Sequence, residues 1–195
     1  MNRIEFKNKW IEEESNLNQI RKSNLQGLNL SINTIEFLHY SGLPEDASPF
    51  LSFNKDSEDI FESAQKLTTL YDFVEKEFEK YIVIGSCNDG DFIVINTNEN
   101  DQIECLDHEN NFSSEFFNTN INNLAACLLA YRNFVNMTII ENGEDAYLES
   151  NFSDEAHNQL KTNLFLADKL IESNKGFWYD QINMELELRN DSRKS

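Results

Sequence analysis

Apolar positions along this chain change period several times, and each change marks an element. Phe6, Trp10, Leu17 and Ile20 recur at near-helical spacing and predict an amino-terminal helix, with 22–28 as a loop. Asn33 with Glu36 three residues later has the form of a capping box, so Ile35 and Leu38 face inward on a second helix. Gly42 offers that helix a left-handed stop and Pro44 forbids its continuation, so it ends near Tyr40. Residues 45–49 form an acidic turn ahead of a short apolar strand, Phe50 to Phe53, and 54–63 is polar loop. Over 67–74, Leu67, Thr69, Tyr71 and Phe73 alternate with Thr68, Leu70 and Asp72, which predicts a strand. Residues 75–80 fit no single period.

The clearest sheet signal follows. Tyr81-Ile82-Val83-Ile84 and Phe92-Ile93-Val94-Ile95 are continuous apolar runs, as expected of strands covered on both faces. The Asp89-Gly90 step between them suits a hairpin, so the two runs pair antiparallel. Residues 102–107 extend the meander and Glu115-Phe116-Phe117 adds a further strand. Beyond Asn118 the period becomes helical. Ile121, Leu124, Ala125, Leu128, Leu129 and Val135 make one stripe, capped by Asn118 or Asn120. That helix ends at Gly143, unless 137–140 leaves it as a strand. Two more helices are predicted, over 154–173 behind Ser153 and over 176–189 with Phe177, Trp178, Ile182 and Leu186 inward. With no linker or repeat, the expectation is one α+β domain over 1–195, a central mostly antiparallel sheet flanked by helices.

Charge changes the picture more than composition does. The 195 residues carry 16 basic and 35 acidic side chains, a net charge of -19. Between Tyr81 and Lys161 the one positive side chain is Arg132, against fourteen carboxylates. Asp89, Asp91, Glu99, Asp101, Glu104, Asp107, Glu109 and Glu115 precede Arg132, and Glu141, Glu144, Asp145, Glu149, Asp154 and Glu155 follow it. A surface of one sign repels phosphate and attracts cationic partners. Nucleic-acid binding is therefore disfavoured, since it needs clustered Lys and Arg. Surplus carboxylate also serves solubility alone. No apolar run is long enough to span a bilayer and the start lacks a signal-peptide pattern, so a cytoplasmic location is expected.

Candidate chemistry is sparse. Cys87, Cys105 and Cys127 are odd in number and lack CxxC spacing, so each reads as a reduced packing residue. His39, His108 and His157 lie far apart, His157 on what reads as an exposed helical turn, and no metal-ligand pairing emerges. Asn88-Asp89-Gly90-Asp91 has the composition of a calcium loop without its spacing or distal Glu, and a hairpin turn explains it. Asp107 and His108 are neighbours on a strand and point to opposite faces. There is no GxSxG, GxGxxG or P-loop. No catalytic, cofactor or metal residue is therefore expected.

Three segments in order carry a resemblance. Ser41-Gly42-Leu43-Pro44-Glu45-Asp46-Ala47 leading to Pro49-Phe50-Leu51-Ser52-Phe53 resembles the "GLP" turn and strand of the SUKH superfamily. Tyr81-Ile82-Val83-Ile84-Gly85-Ser86, then Phe92-Ile93-Val94-Ile95-Asn96, is similar to that family's central sheet with its "IGS" step. Phe116-Phe117-Asn118-Thr119 is similar to its entry into the following helix. Asn142-Gly143-Glu144-Asp145-Ala146-Tyr147-Leu148 and Phe177-Trp178 resemble the fourth, bacterial subgroup, so the match covers roughly 32–188. One departure is the turn at Asp89 to Asp91, where the family often has a longer Gly-rich one.

The resemblance implies an α+β fold and a bacterial immunity protein that neutralises a toxin, often a nuclease, without catalysis. The expected partner is a basic toxin effector domain, with no nucleic acid and no membrane. Asp89, Asp91, Glu99, Asp101, Glu104, Glu109 and Glu115 are the candidate toxin-binding residues. Gly42, Pro44, Gly85 and Asn118 are expected to set conformation. Alternatives are a non-enzymatic scaffold like the fungal Smi/Knr-type regulators and, behind it, a hydrolase using Asp107 and His108.

Overall fold

In the computed structural model, which describes residues 1–11, 16–87 and 90–194, helix α1 (Arg3–Ile11) buries Phe6 and Trp10. The helical spacing does not carry on to Ile20. Leu17 instead enters a two-residue strand, β1 (Leu17–Asn18). The predicted 22–28 loop contains a helical turn, α2 (Lys22–Leu25), which buries Leu25. Helix α3 (Ile32–Tyr40) is capped by Ser31, whose hydroxyl accepts from Thr34 N, and not by Asn33. It ends as expected at Gly42, whose φ is +76°. A Cβ there would sit 2.2 Å from the Asn18 carbonyl oxygen, because β2 (Leu43–Pro44) lies antiparallel against β1.

The remaining strands form one sheet of seven. Its path runs β3 (Asp46–Ala47), β4 (Leu51–Phe53), β6 (Tyr81–Cys87), β7 (Asp91–Asn96), β8 (Gln102–Asp107) and β9 (Ser113–Asn118), with β5 (Gln65–Lys66) also pairing β6. All pairings are antiparallel. The strands expected from the apolar runs and from 102–107 are present. Of the hairpin step Asp89-Gly90, Asp89 lies outside the described residues, and Gly90 has a φ of +88° and donates to the Cys87 carbonyl at 2.8 Å.

Residues 67–74 are a correction. They form a single helical turn, α4 (Leu67–Leu70), followed by a 3-10 helix over Lys76–Lys80. The outer edge of β6 is already occupied, by β4 opposite Gly85 to Cys87 and by β5 opposite Ile82 and Val83. With that side of β6 taken, the segment folds across the sheet face. Leu67 packs there with Tyr81, Val83, Val94 and Leu106, rimmed by Tyr71, Phe78, Phe92 and Phe112.

The opposite face is the larger core. Ile82, Ile84, Ile93, Ile95, Ile103 and Phe117 meet α5 (Ile121–Asn142), α6 (Asp154–Ala167), α7 (Leu170–Asn174) and α8 (Phe177–Ser192). Both faces are thus covered, which is why the two central runs are apolar at every position. Asn120 caps α5, accepting from Asn122 N and Asn123 N at 3.0 and 3.2 Å. The helix continues through 137–140 to Asn142, so no strand forms there. The helix predicted over 154–173 is broken in two at Asp168. That buried carboxylate accepts from Thr119 N, Thr119 Oγ1 and Asn118 Nδ2, and the chain bends to deliver it.

Candidate functional site

The seven candidate carboxylates separate by position. Asp101 is 4 % exposed and points inward, where one oxygen accepts from Ser31 N at 2.8 Å and Thr34 Oγ1 at 2.6 Å. Glu104 is 5 % exposed and accepts from Asn96 Nδ2 at 2.7 Å and Gln102 Nε2 at 3.2 Å. Neither presents its charge to an approaching partner, a correction to the expectation that both belong to an open surface. The physical reason is local. Asp101 closes the turn between β7 and β8 directly over the start of α3, and strand alternation puts Glu104, opposite Val94, on the same covered face as Leu106. Asp89 lies outside the described residues. Glu99 is exposed on the turn at the far end of β7.

Asp91, Glu109 and Glu115 do come together. Asp91 opens β7, Glu109 lies in the turn after β8, and Glu115 lies on β9 opposite Cys105, so all three stand at one end of the sheet. His108 stands among them. It donates to Asp91 Oδ1 from its backbone at 2.9 Å and from Nδ1 at 2.8 Å. That hydrogen bond first, and then the charges of Asp91, Glu109 and Asp107, raise the imidazole pKa above its ordinary value. Glu115 feels negative charge too, and its pKa is also raised, here because the charged form is disfavoured. Crowding by protein first, then the charges of Asp180 and Asp91, push its carboxyl above the usual range even though the side chain reaches solvent. Asp180, exposed in the first turn of α8, thus joins the corner from the helical layer.

Arg132, the one cation of the acidic stretch, is turned the other way. It donates to the Trp10 and Lys9 carbonyls at 3.0 and 2.9 Å and lies 4.5 Å over the Trp10 ring, fastening α5 to α1. At the acidic corner the His108 imidazole pairs with Asp91. Asp154, among the later carboxylates, pairs with Arg189 at 2.6 Å.

Residues 13–184 match the family model described as SUKH-4 immunity protein. The chain belongs to that family. No curated protein and no solved structure matches it. Family membership supports an immunity-protein role, and the α+β architecture agrees with the SUKH resemblance of the three segments. Among the described residues no helix is long and apolar enough to cross a membrane.

The markers of the SUKH segments have structural causes. At Gly85 a Cβ would meet the Ser52 carbonyl oxygen at 2.3 Å, so the "IGS" glycine lets β4 approach β6. Asn118 is fully buried. It donates to Asp168 and to Cys127 Sγ, and accepts from Trp178 Nε1 at 2.9 Å, joining the sheet to three helices.

Sequence periodicity missed several inward polar groups of this SUKH-4 chain. His157, read as exposed, is buried, with Nε2 2.9 Å from the Ile182 carbonyl oxygen and its ring stacked on Phe152. On α8, Gln181, Glu185 and Arg189 lie inward beside Trp178 and Ile182. Tyr131 donates a short hydrogen bond to Glu185, which also accepts from Tyr147 at 3.2 Å and Gln181 at 3.0 Å. Burial first, then the Glu185 charge, raises the pKa of both tyrosines. The i, i+4 spacing of Gln181, Glu185 and Arg189 on the apolar face was the available signal. Gln181 and Glu185 are consumed by the tyrosines and by each other, while Arg189 pairs with Asp154 and lies over the Phe152 ring, so the set packs α8 against the core.

Proposed function

We propose that this protein protects its cell by binding the effector domain of a cognate toxin, with the acidic corner of Asp91, Glu109, Glu115 and Asp180 facing a cationic surface of that domain. Membership of an immunity-protein family is the observation that carries the role. The corner supports the choice of surface, because four carboxylates come from β7, the β8–β9 turn, β9 and α8, with Asp91 and Asp180 raising the Glu115 pKa and Asp91 and Glu109 that of His108. Facing a basic partner, such a patch accelerates encounter and fixes orientation more than it adds affinity. A nuclease fits this chemistry, since the cations with which it grips phosphate are the groups these carboxylates would cover. The inhibitor acts by occlusion in the cytoplasm, with no reaction of its own.

The decisive experiment pairs the protein with a cognate toxin effector domain. Co-expression restores growth, the two proteins co-purify, and Glu109→Lys with Asp180→Lys weakens both effects while the fold persists by circular dichroism. Growth rescue without a complex would overturn occlusion. Undiminished binding by the double variant would move the interface away from this corner.

A further inference from the structure

Two thiols and a carboxylate meet at the same end of the sheet. Cys87 Sγ and Cys105 Sγ lie 3.3 Å apart. These two sulfurs and an oxygen of Asp91 all lie within 4.8 Å of one another. The register explains the meeting. Cys87 is paired with Asp91 and Cys105 with Ile93, and Asp91 and Ile93 are two residues apart on β7, so the three side chains rise on one face. Spacing along the sequence does not reveal it, because Cys87 and Cys105 are on strands separated by a third.

The sulfur separation bears on whether a disulfide or a metal joins them. A disulfide needs its sulfurs about 2.0 Å apart, so this pair at 3.3 Å would have to close by more than an ångström. A tetrahedral metal at about 2.3 Å from each sulfur holds two thiolates about 3.7 Å apart, within a few tenths of an ångström of the separation already present.

We propose that Cys87, Cys105 and Asp91 form a site for a thiophilic divalent cation of the Zn²⁺ class, which ties β6 to β8 across β7. Two sulfur donors select a borderline-soft ion over Ca²⁺ or Mg²⁺. Glu115, opposite Cys105 in the register, is a further carboxylate at this end of the sheet but lies outside the three-residue cluster. His108 plays the outer role, donating twice to Asp91 and so orienting it. Cys105 itself is buried, whereas Cys87 and Asp91 are half-buried at the open end of the sheet, which gives an ion a way in. The surroundings oppose a bare thiolate at Cys105: the Cys87 hydrogen bond first, then burial and the charges of Asp91 and Glu115, raise its pKa. A bound cation reverses that penalty.

The test uses the full chain, reduced and stripped with chelator, titrated with CdCl₂ while thiolate-to-metal charge-transfer absorption is followed in the near ultraviolet. The band should saturate at about one ion per chain, be competed away by ZnCl₂, and be accompanied by a rise in melting temperature. Cys87→Ser, at the more exposed thiol and so the safer variant for folding, should cut affinity by about 100-fold, and Asp91→Asn by about tenfold. A complete absence of the band, a band that survives Cys87→Ser, or Cd²⁺ uptake without the band, which would place the ion on carboxylates alone, each overturns the proposal. Failure here and failure of the toxin-binding reading are distinguishable, because Asp91 belongs to both whereas Glu109→Lys and Asp180→Lys alter no residue of the thiol cluster.

Discussion

Thr34 donates its hydroxyl to Asp101 at 2.6 Å across 67 residues of chain. The same carboxylate oxygen accepts from Ser31 N, so a residue from the most acidic part of the sequence serves as an extra cap on α3. Its negative charge sits where the helix dipole favours it.

Replacing Asp101 by Ala should therefore reduce stability, by about 1–3 kcal/mol, because the buried Thr34 hydroxyl and the part-buried Ser31 N–H lose their acceptor. For a chain of this size that lowers the melting temperature by roughly 2–12 °C. Calorimetry checks the shift, and toxin association by the folded fraction should stay unchanged. A charge change that slowed association without altering stability would return Asp101 to the interface.

The corner predicts a different signature. Glu109→Lys and Glu115→Lys should leave unfolding nearly unaffected but slow association with the toxin domain about tenfold, with the effect shrinking as salt rises. Glu99→Lys, at the opposite end of β7, should slow it less. Stopped-flow association at several ionic strengths distinguishes them.

His108 and Asp91 give a pH dependence whose sign follows from the raised imidazole pKa. A folded-state value above the unfolded one means the proton is bound more tightly in the native protein. The resulting stabilisation is full below about pH 6.5, the ordinary histidine value, and is lost as pH rises through the folded value. NMR titration should place the His108 midpoint above its usual position. Asp91→Asn should bring it back, and should flatten the corresponding part of the urea-midpoint curve.

Gly85→Ala tests the crossing of β4 over β6. Its Cβ would fall 2.3 Å from the Ser52 carbonyl oxygen and 3.1 Å from Phe53 Cα, both backbone atoms that cannot swing aside. The expected cost is about 1–3 kcal/mol by chemical denaturation, as for overpacking elsewhere. Ser86→Ala, the adjacent control, should cost markedly less.

Much of the frame was legible before any coordinates. The β-branched runs at 81–84 and 92–95, the stripe from Ile121 to Val135 and the stop at Gly42 correspond to β6, β7, α5 and the end of α3. Residues 67–74 misled, because alternation of Leu, Thr, Tyr and Phe satisfies a strand only where an edge is open, and β4 and β5 had taken that side of β6. The break at Asp168 was invisible, since its cause is a set of donors on Asn118 and Thr119 some 50 residues away. The candidate site was partly legible. Position in the sequence told that the stretch is anionic, not that Asp101 and Glu104 turn inward.

From the residues alone came the periods, the turns, the excess of negative charge and the SUKH likeness, because each depends on local covalent geometry, on composition or on short ordered motifs. Which carboxylates keep their charge in water, which histidine is buried, and that Cys87 meets Cys105 were decided only when the strands took their register and the helices covered one face. Burial and proximity are properties of a packed surface, and no residue carries them until a distant one is laid against it.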